Sequence, residues 1–71
     1  MSNNIPTAFP KQEARLENWF KDGHMYWGNA YGHPKFKDGC FLHTSAIVKE
    51  NLEAGVIETL HTYYKLGVQL I

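Results

Sequence analysis

Seventy-one residues with seven basic and seven acidic side chains make one small domain of zero formal charge. A core this small leaves such a chain marginally stable alone, and the missing basic excess argues against nonspecific duplex DNA binding. The single cysteine, Cys40, excludes an internal disulfide and fits a reducing cytoplasm. No apolar run reaches the length of a membrane span, and the polar start has no signal-peptide pattern, so no membrane partner is expected.

Residues 1–10, MSNNIPTAFP, hold two prolines and several turn-formers. No regular element is expected there, and the stretch reads as a flexible N-terminal arm that Ile5 and Phe9 would anchor on a neighbouring subunit. Residues 11–71 read as a single β-domain. Its first segment admits two readings. Leu16, Trp19 and Phe20 have helical spacing, and Pro10 suits a helix start. Against this, Lys21-Asp22-Gly23 is a hairpin signal, and the β-like His24-Met25-Tyr26-Trp27 follows it. A strand over 14–20 is favoured; a short N-terminal amphipathic helix packed on the sheet is the alternative.

The second strand is expected over 24–31. Met25, Trp27, Asn29 and Tyr31 fall on one face, and His24, Tyr26, Gly28 and Ala30 on the other. Large residues on both faces imply that one covers the core while the other meets a partner or ligand. Gly28 is read as a bulge that curves this strand. Gly32, Pro34, Asp38 and Gly39 are turn residues: proline fixes its own φ and extends His33, and Asp-Gly favours a tight reversal. A third strand follows over 40–48, then a polar loop over 49–54 closed by Gly55. The fourth strand, over 56–64, alternates Val56, Glu58, Leu60, Thr62 and Tyr64 against Ile57, Thr59, His61 and Tyr63. Residues 65–71 add a short fifth strand after Gly67. Short strands with close turn signals predict an all-β fold, a small antiparallel meander curled into an SH3-like barrel or an open sandwich.

Chemistry is sparse. The four histidines, at 24, 33, 43 and 61, lack a recognised ligand spacing, and Cys40 has no Cys-x-x-Cys partner, so neither metal nor cofactor is expected. His43 and His61 would meet if their strands were adjacent. Cys40 and His43 lie three apart in a strand and point to opposite faces, a poor nucleophile–base pair. Asp38 is a turn residue before it is a general base, Glu50, Glu53 and Glu58 read as loop and solvated face, and no glycine-rich loop precedes a helix. No enzyme is expected. Thr44, Ser45 and Thr59 form a hydroxyl cluster, either as cross-strand pairs or as part of a site. With His33, Lys35, Phe36 and His43 they make a candidate nucleotide site. The ring of Phe36 stacks on a base, hydroxyls and backbone N–H groups hold ribose or phosphate, and Lys35 balances charge. The other aromatics serve the core and a homo-oligomer interface, or, interleaved with Lys21, Lys35, Lys37 and Lys65, a single-stranded nucleic-acid platform.

The stretch YGHPKFKDGCFLHTS resembles a pattern in small proteins of unknown function from bacteriophages and prophages, roughly Tyr-Gly-His-Pro-Arg-Phe-x-Asp-Gly, an apolar residue, then x-Thr-Ser. The chain matches at Tyr31, Gly32, His33, Pro34, Phe36, Asp38, Gly39, Thr44 and Ser45, and again at Gly55, Thr59, Tyr64, Leu66 and Gly67. It departs at Lys35, where arginine is common and would grip an anion in two-pronged fashion. The resemblance implies a phage setting in a host bacterial cytoplasm. Together these readings predict a non-enzymatic, homo-oligomeric phage protein that sequesters a small anionic nucleotide-derived ligand, such as a host-defence signal. The alternatives are an inhibitor or adaptor bound to a host protein or single-stranded nucleic acid, and a structural protein of phage assembly.

Overall fold

A computed structural model describes residues 11–70; the expected arm over 1–10 lies outside them. Six strands make one sheet: β1 (Gln12–Asp22), β2 (Met25–Tyr31), β3 (Cys40–His43), β4 (Lys49–Asn51), β5 (Val56–Glu58) and β6 (Thr62–Leu66). Their spatial order is β3-β2-β1-β6-β5-β4. The fold is all-β, with no helix among the described residues and hence none long and apolar enough to cross a membrane. The sheet is open rather than closed into a barrel. It is also mixed: every neighbouring pair is antiparallel except β1 and β6, which run parallel from Gln12↔Thr62 to Leu16↔Leu66.

β1 settles the choice between helix and strand. Ala14 and Leu16 are buried while Glu13 and Arg15 are exposed, the two-residue period of a strand with one face in the core. The helix-like spacing at Leu16, Trp19 and Phe20 comes from a bulge. Glu17 pairs with Asn29 and Phe20 with Trp27, so Asn18 and Trp19 together oppose Gly28. Asn18 takes up the irregularity at φ 52°, a left-handed conformation that asparagine tolerates better than most residues. The bulge thus lies on β1, not on the strand of Gly28. Gly28 makes room for it: a Cβ there would stand 2.8 Å from both the Glu17 carbonyl oxygen and Leu16 Cγ.

Two expected strands are each split by a threonine. The run over 40–48 leaves the ladder at Thr44: its N–H still donates to the Tyr26 carbonyl at 2.8 Å, but the Tyr26 N–H goes to the Thr44 hydroxyl at 3.1 Å. Residues 44–48 then cross the sheet: Ile47 N–H donates to His24 (3.0 Å) and Val48 N–H to Glu58 (2.8 Å). The chain thus arrives at the opposite edge, where Lys49–Asn51 forms β4 inside the expected polar loop. The run over 56–64 reverses at a turn in which Thr59 Oγ1 accepts the Thr62 N–H at 3.1 Å. That turn changes the phase of alternation. Ile57, Thr59, Thr62 and Tyr64 are all buried, where an unbroken strand would put Ile57 and Thr59 opposite Thr62 and Tyr64. The expected fifth strand continues β6 only as a bridge of Gln69 to Trp19.

The core lies on one face of the sheet. Leu16, Tyr26, Ala30 and Ile57 are fully buried, Ala14 and Tyr64 nearly so, with Trp19, Leu42, Ile47 and Leu66 packed around them. Which face of β2 covers the core is settled here: Tyr26, Gly28 and Ala30 take the core side, leaving Met25, Trp27, Asn29 and Tyr31 on the outer side.

Candidate functional site

A cleft of about 620 Å³ opens between the β2–β3 loop, the residues at and after the end of β3, the β5–β6 turn and the start of β1. Its size suits a small ligand. His33, Lys35, Phe36, His43, Ser45 and Thr59 all line it. They come from three separate places in the chain, joined because residues 44–48 cross the sheet while the parallel β1–β6 pair brings residue 11 beside the β5–β6 turn.

The β2–β3 loop is tied down from inside. Asp38 Oδ1 accepts the Gly32 N–H at 2.8 Å, Gly39 N–H donates to the Ala30 carbonyl at 2.7 Å, and Cys40 N–H donates to Lys37 at 3.1 Å. Asp38 and Gly39 therefore close a longer loop rather than form a two-residue hairpin, and Gly39 does so at φ 88°. His33 is held twice: Nδ1 accepts the Lys35 N–H at 3.0 Å, and the ring meets Phe36 edge-on at 4.8 Å. With Nδ1 accepting, neutral His33 carries its proton on Nε2. Burial, with Lys35 adding to it, lowers the pKa of His33 below the usual histidine value. Phe36 is 46% exposed, and Lys35 makes no ion pair within the described residues. Across the cleft, His43 Nδ1 lies 3.0 Å from the Thr44 carbonyl. Since a carbonyl only accepts, Nδ1 is the donor there.

The hydroxyl cluster is only partly available. Thr44 is 1% exposed and does not line the cleft; its hydroxyl serves the β2 backbone. Thr59 lines the cleft, yet its hydroxyl is engaged with Thr62. β3 pairs only with β2, so Thr44 and Thr59 are not cross-strand partners. Ser45 is the exposed hydroxyl of the three. His43 and His61 both line the cleft, though not from adjacent strands. No three His, Cys, Asp or Glu side chains gather as a metal-binding group among the described residues.

The sequence reading missed Lys11, and it paired His61 with His43 without placing it in the candidate site. Lys11 Nζ sits 2.7 Å from Glu58 Oε1 and 3.0 Å from the Thr59 carbonyl, and 5.2 Å from the Tyr63 ring centroid. Glu58 is thus a partner of the cleft wall and not a solvated bystander. No local signal links Lys11 to a residue 47 positions away; only the β1–β6 pairing does.

A second feature lies on the outer face. Phe20 and Trp27 stack with planes 3° apart and centroids 6.3 Å apart, Phe41 extends the row at 5.6 Å, and His43 tilts against Trp27 at 4.9 Å. The row runs from β1 across β2 to the edge strand β3, where Phe41 is 54% exposed. The chain matches no protein-family model, no curated protein and no solved structure at a significant level.

Proposed function

We propose that this chain is a non-enzymatic binding protein of a bacteriophage or prophage, acting as a homo-oligomer in the host cytoplasm and sequestering a small anionic nucleotide-derived ligand, such as a host-defence signal. The observation that supports it is the pinned loop facing the cleft. Within four residues it presents a neutral imidazole N–H at His33, an ammonium at Lys35 that makes no ion pair among the described residues, and an exposed ring at Phe36. The ring stacks on a base, Lys35 meets a phosphate, and His33 Nε2, His43 and Ser45 supply hydrogen bonds. Because the loop is already held by Asp38 and by backbone bonds, little ordering opposes binding, which favours tight capture without turnover. The phage setting rests on the resemblance of residues 31–45 and the later matches. Self-association would use the Phe20–Trp27–Phe41 row beside the edge strand β3.

The same aromatic row favours a second reading, a surface for single-stranded nucleic acid or a host protein. Native mass spectrometry of the protein purified from a bacterial lysate separates the two. A retained nucleotide-sized mass, lost in Lys35→Ala and in Phe36→Ala while the oligomer persists, is the expected result. An oligomer that carries nothing, and takes up nothing from a panel of linear and cyclic nucleotides, would overturn sequestration in favour of a macromolecular partner or a structural role in assembly.

A further inference from the structure

Charge restricts the cleft as much as shape does. Among the described residues, two lysines line it, Lys11 and Lys35, and no Asp or Glu does. The two lysines are not equivalent. Lys11 is held by the Glu58 carboxylate at 2.7 Å, the Thr59 carbonyl at 3.0 Å and the face of Tyr63. Both partners of that ion pair are mostly covered, with side chains 26% and 18% exposed, so Glu58 offsets most of the field that Lys11 would project. Lys35 has no such partner among the described residues, and residues 1–10 contain no Lys, Arg, Asp or Glu. Apart from its histidines, the cleft therefore offers one uncompensated cation among the described residues. Glu58 does not line the cleft, yet it decides whether that number is one or two.

We infer that Glu58 is a specificity-determining residue: by holding Lys11 it keeps the cleft at one free cation, and so makes it discriminate against ligands that carry several phosphate charges. The inference rests on the nucleotide reading above and adds to it the residue that sets charge preference. The reason is electrostatic. Each further phosphate charge brought into a half-enclosed cleft loses hydration and needs a fixed cation to replace it. With Lys11 engaged, only Lys35 meets that need, so added phosphates gain nothing. Release of Lys11 supplies the second cation at the β1 end of the same cleft. Glu58 acts through Lys11 and is a positioning residue, not a ligand contact.

The test is calorimetric titration of AMP, ADP and ATP, without divalent metal, into the wild type, Glu58→Gln, Lys11→Met and the double variant, at one salt concentration and neutral pH. Glutamine keeps the size of the side chain and removes its charge. In the wild type, affinity should be flat or should fall from AMP to ATP. In Glu58→Gln it should rise along the series, with ATP gaining on the order of tenfold over the wild type, and addition of Lys11→Met should abolish that gain. A purely structural role for Glu58 would change all three affinities by one common factor, which overturns the inference. A wild type that already prefers ATP overturns it as well, and leaves the nucleotide reading intact. No binding of any of the three by any of the proteins overturns both.

Discussion

At the scale of single residues, the same polar side chain does different work according to which of its atoms is left over. Thr44 and Ser45 are neighbours of like chemistry, but the hydroxyl of Thr44 is consumed by the Tyr26 N–H while Ser45 stays exposed on the cleft wall. His33 is the clearest case. Its Nδ1 accepts from the Lys35 backbone, and burial first, then the nearby Lys35 charge, lower its pKa. A histidine starts from about 6.5 in the unfolded chain. Below that pH the unfolded chain therefore binds the His33 proton while the folded protein does not, so stability falls as pH drops from about 6.5 through the lowered folded value, and the effect levels off beneath it. His33→Asn keeps an acceptor for the Lys35 N–H and cannot titrate. The wild type should lose more of its urea midpoint between pH 7.5 and 5.0 than His33→Asn does, and equal losses would show that the ring is not held neutral. Residue types around the cleft were legible from the sequence, since His33, Lys35 and Phe36 sit together in one turn-rich stretch. The engagement of Thr44 and Thr59 was not, because a hydroxyl's partner depends on backbone groups that only the folded chain brings near.

Strands in this protein are broken by specific acts of hydrogen bonding rather than by weak propensity. Residues 40–48 and 56–64 each read as one long run of β-formers, and each is divided where a threonine hydroxyl captures a backbone N–H. β1 is the opposite case: it runs unbroken for 11 residues through a bulge that imitates helical spacing. The bulge is tolerated because its opposite number is glycine. In Gly28→Ala the new methyl would press on the Glu17 carbonyl oxygen, on Leu16 Cγ and, at 3.2 Å, on Trp19 Cα. Two of these are backbone atoms, which cannot swing aside. The substitution should cost about 1–3 kcal/mol, the range for overpacking a tight site, read from denaturant unfolding. A loss below ~0.5 kcal/mol, within the range of an ordinary surface change, would mean that the bulge relaxes freely. The turns signalled by Asp22-Gly23 and Asp38-Gly39 were legible because they are local, although the first is made by Gly23 and His24 between the paired Asp22 and Met25, and the second closes a loop longer than its dipeptide implies.

For the molecule as a whole, the decisive contact joins the two ends of the described chain. β6 runs parallel to β1, and the residues after it lace the β1 bulge. Gly67 N–H donates to Leu16 (2.8 Å), Trp19 N–H to Val68 (3.2 Å) and Leu70 N–H to Trp19 (2.8 Å). The Trp19 indole N–H donates to the Gly67 carbonyl at 3.0 Å, and Glu17 Oε1 accepts the Val68 N–H at 2.8 Å. That last bond, more than the neighbouring Arg15, lowers the Glu17 pKa. The apolar side chains of Val68 and Leu70 remain exposed, so this tail is docked by its backbone. Removing residues 67–71 should cost about 3–5 kcal/mol at roughly 1 kcal/mol per net hydrogen bond, a large share of a small domain's stability. Circular dichroism melting of the truncated chain is expected to show a sharply lowered, broadened transition; an unchanged midpoint would show that the lacing contributes nothing.

What the sequence by itself determined is what acts within a few residues: an all-β chain, the hairpin after β1, the division of β2 into two faces, and a turn-rich loop that gathers a histidine, a lysine and an aromatic ring. Alternation of apolar side chains and the conformational preferences of Gly, Pro and Asp are local forces, readable one window at a time. Tertiary structure alone decided the open mixed sheet, the crossing at residues 44–48, and the cleft wall in which Glu58 holds Lys11. Those depend on which distant backbone groups find each other, and a parallel pairing between the first and last strands has no local signature, because its partners meet only after every intervening strand has been placed.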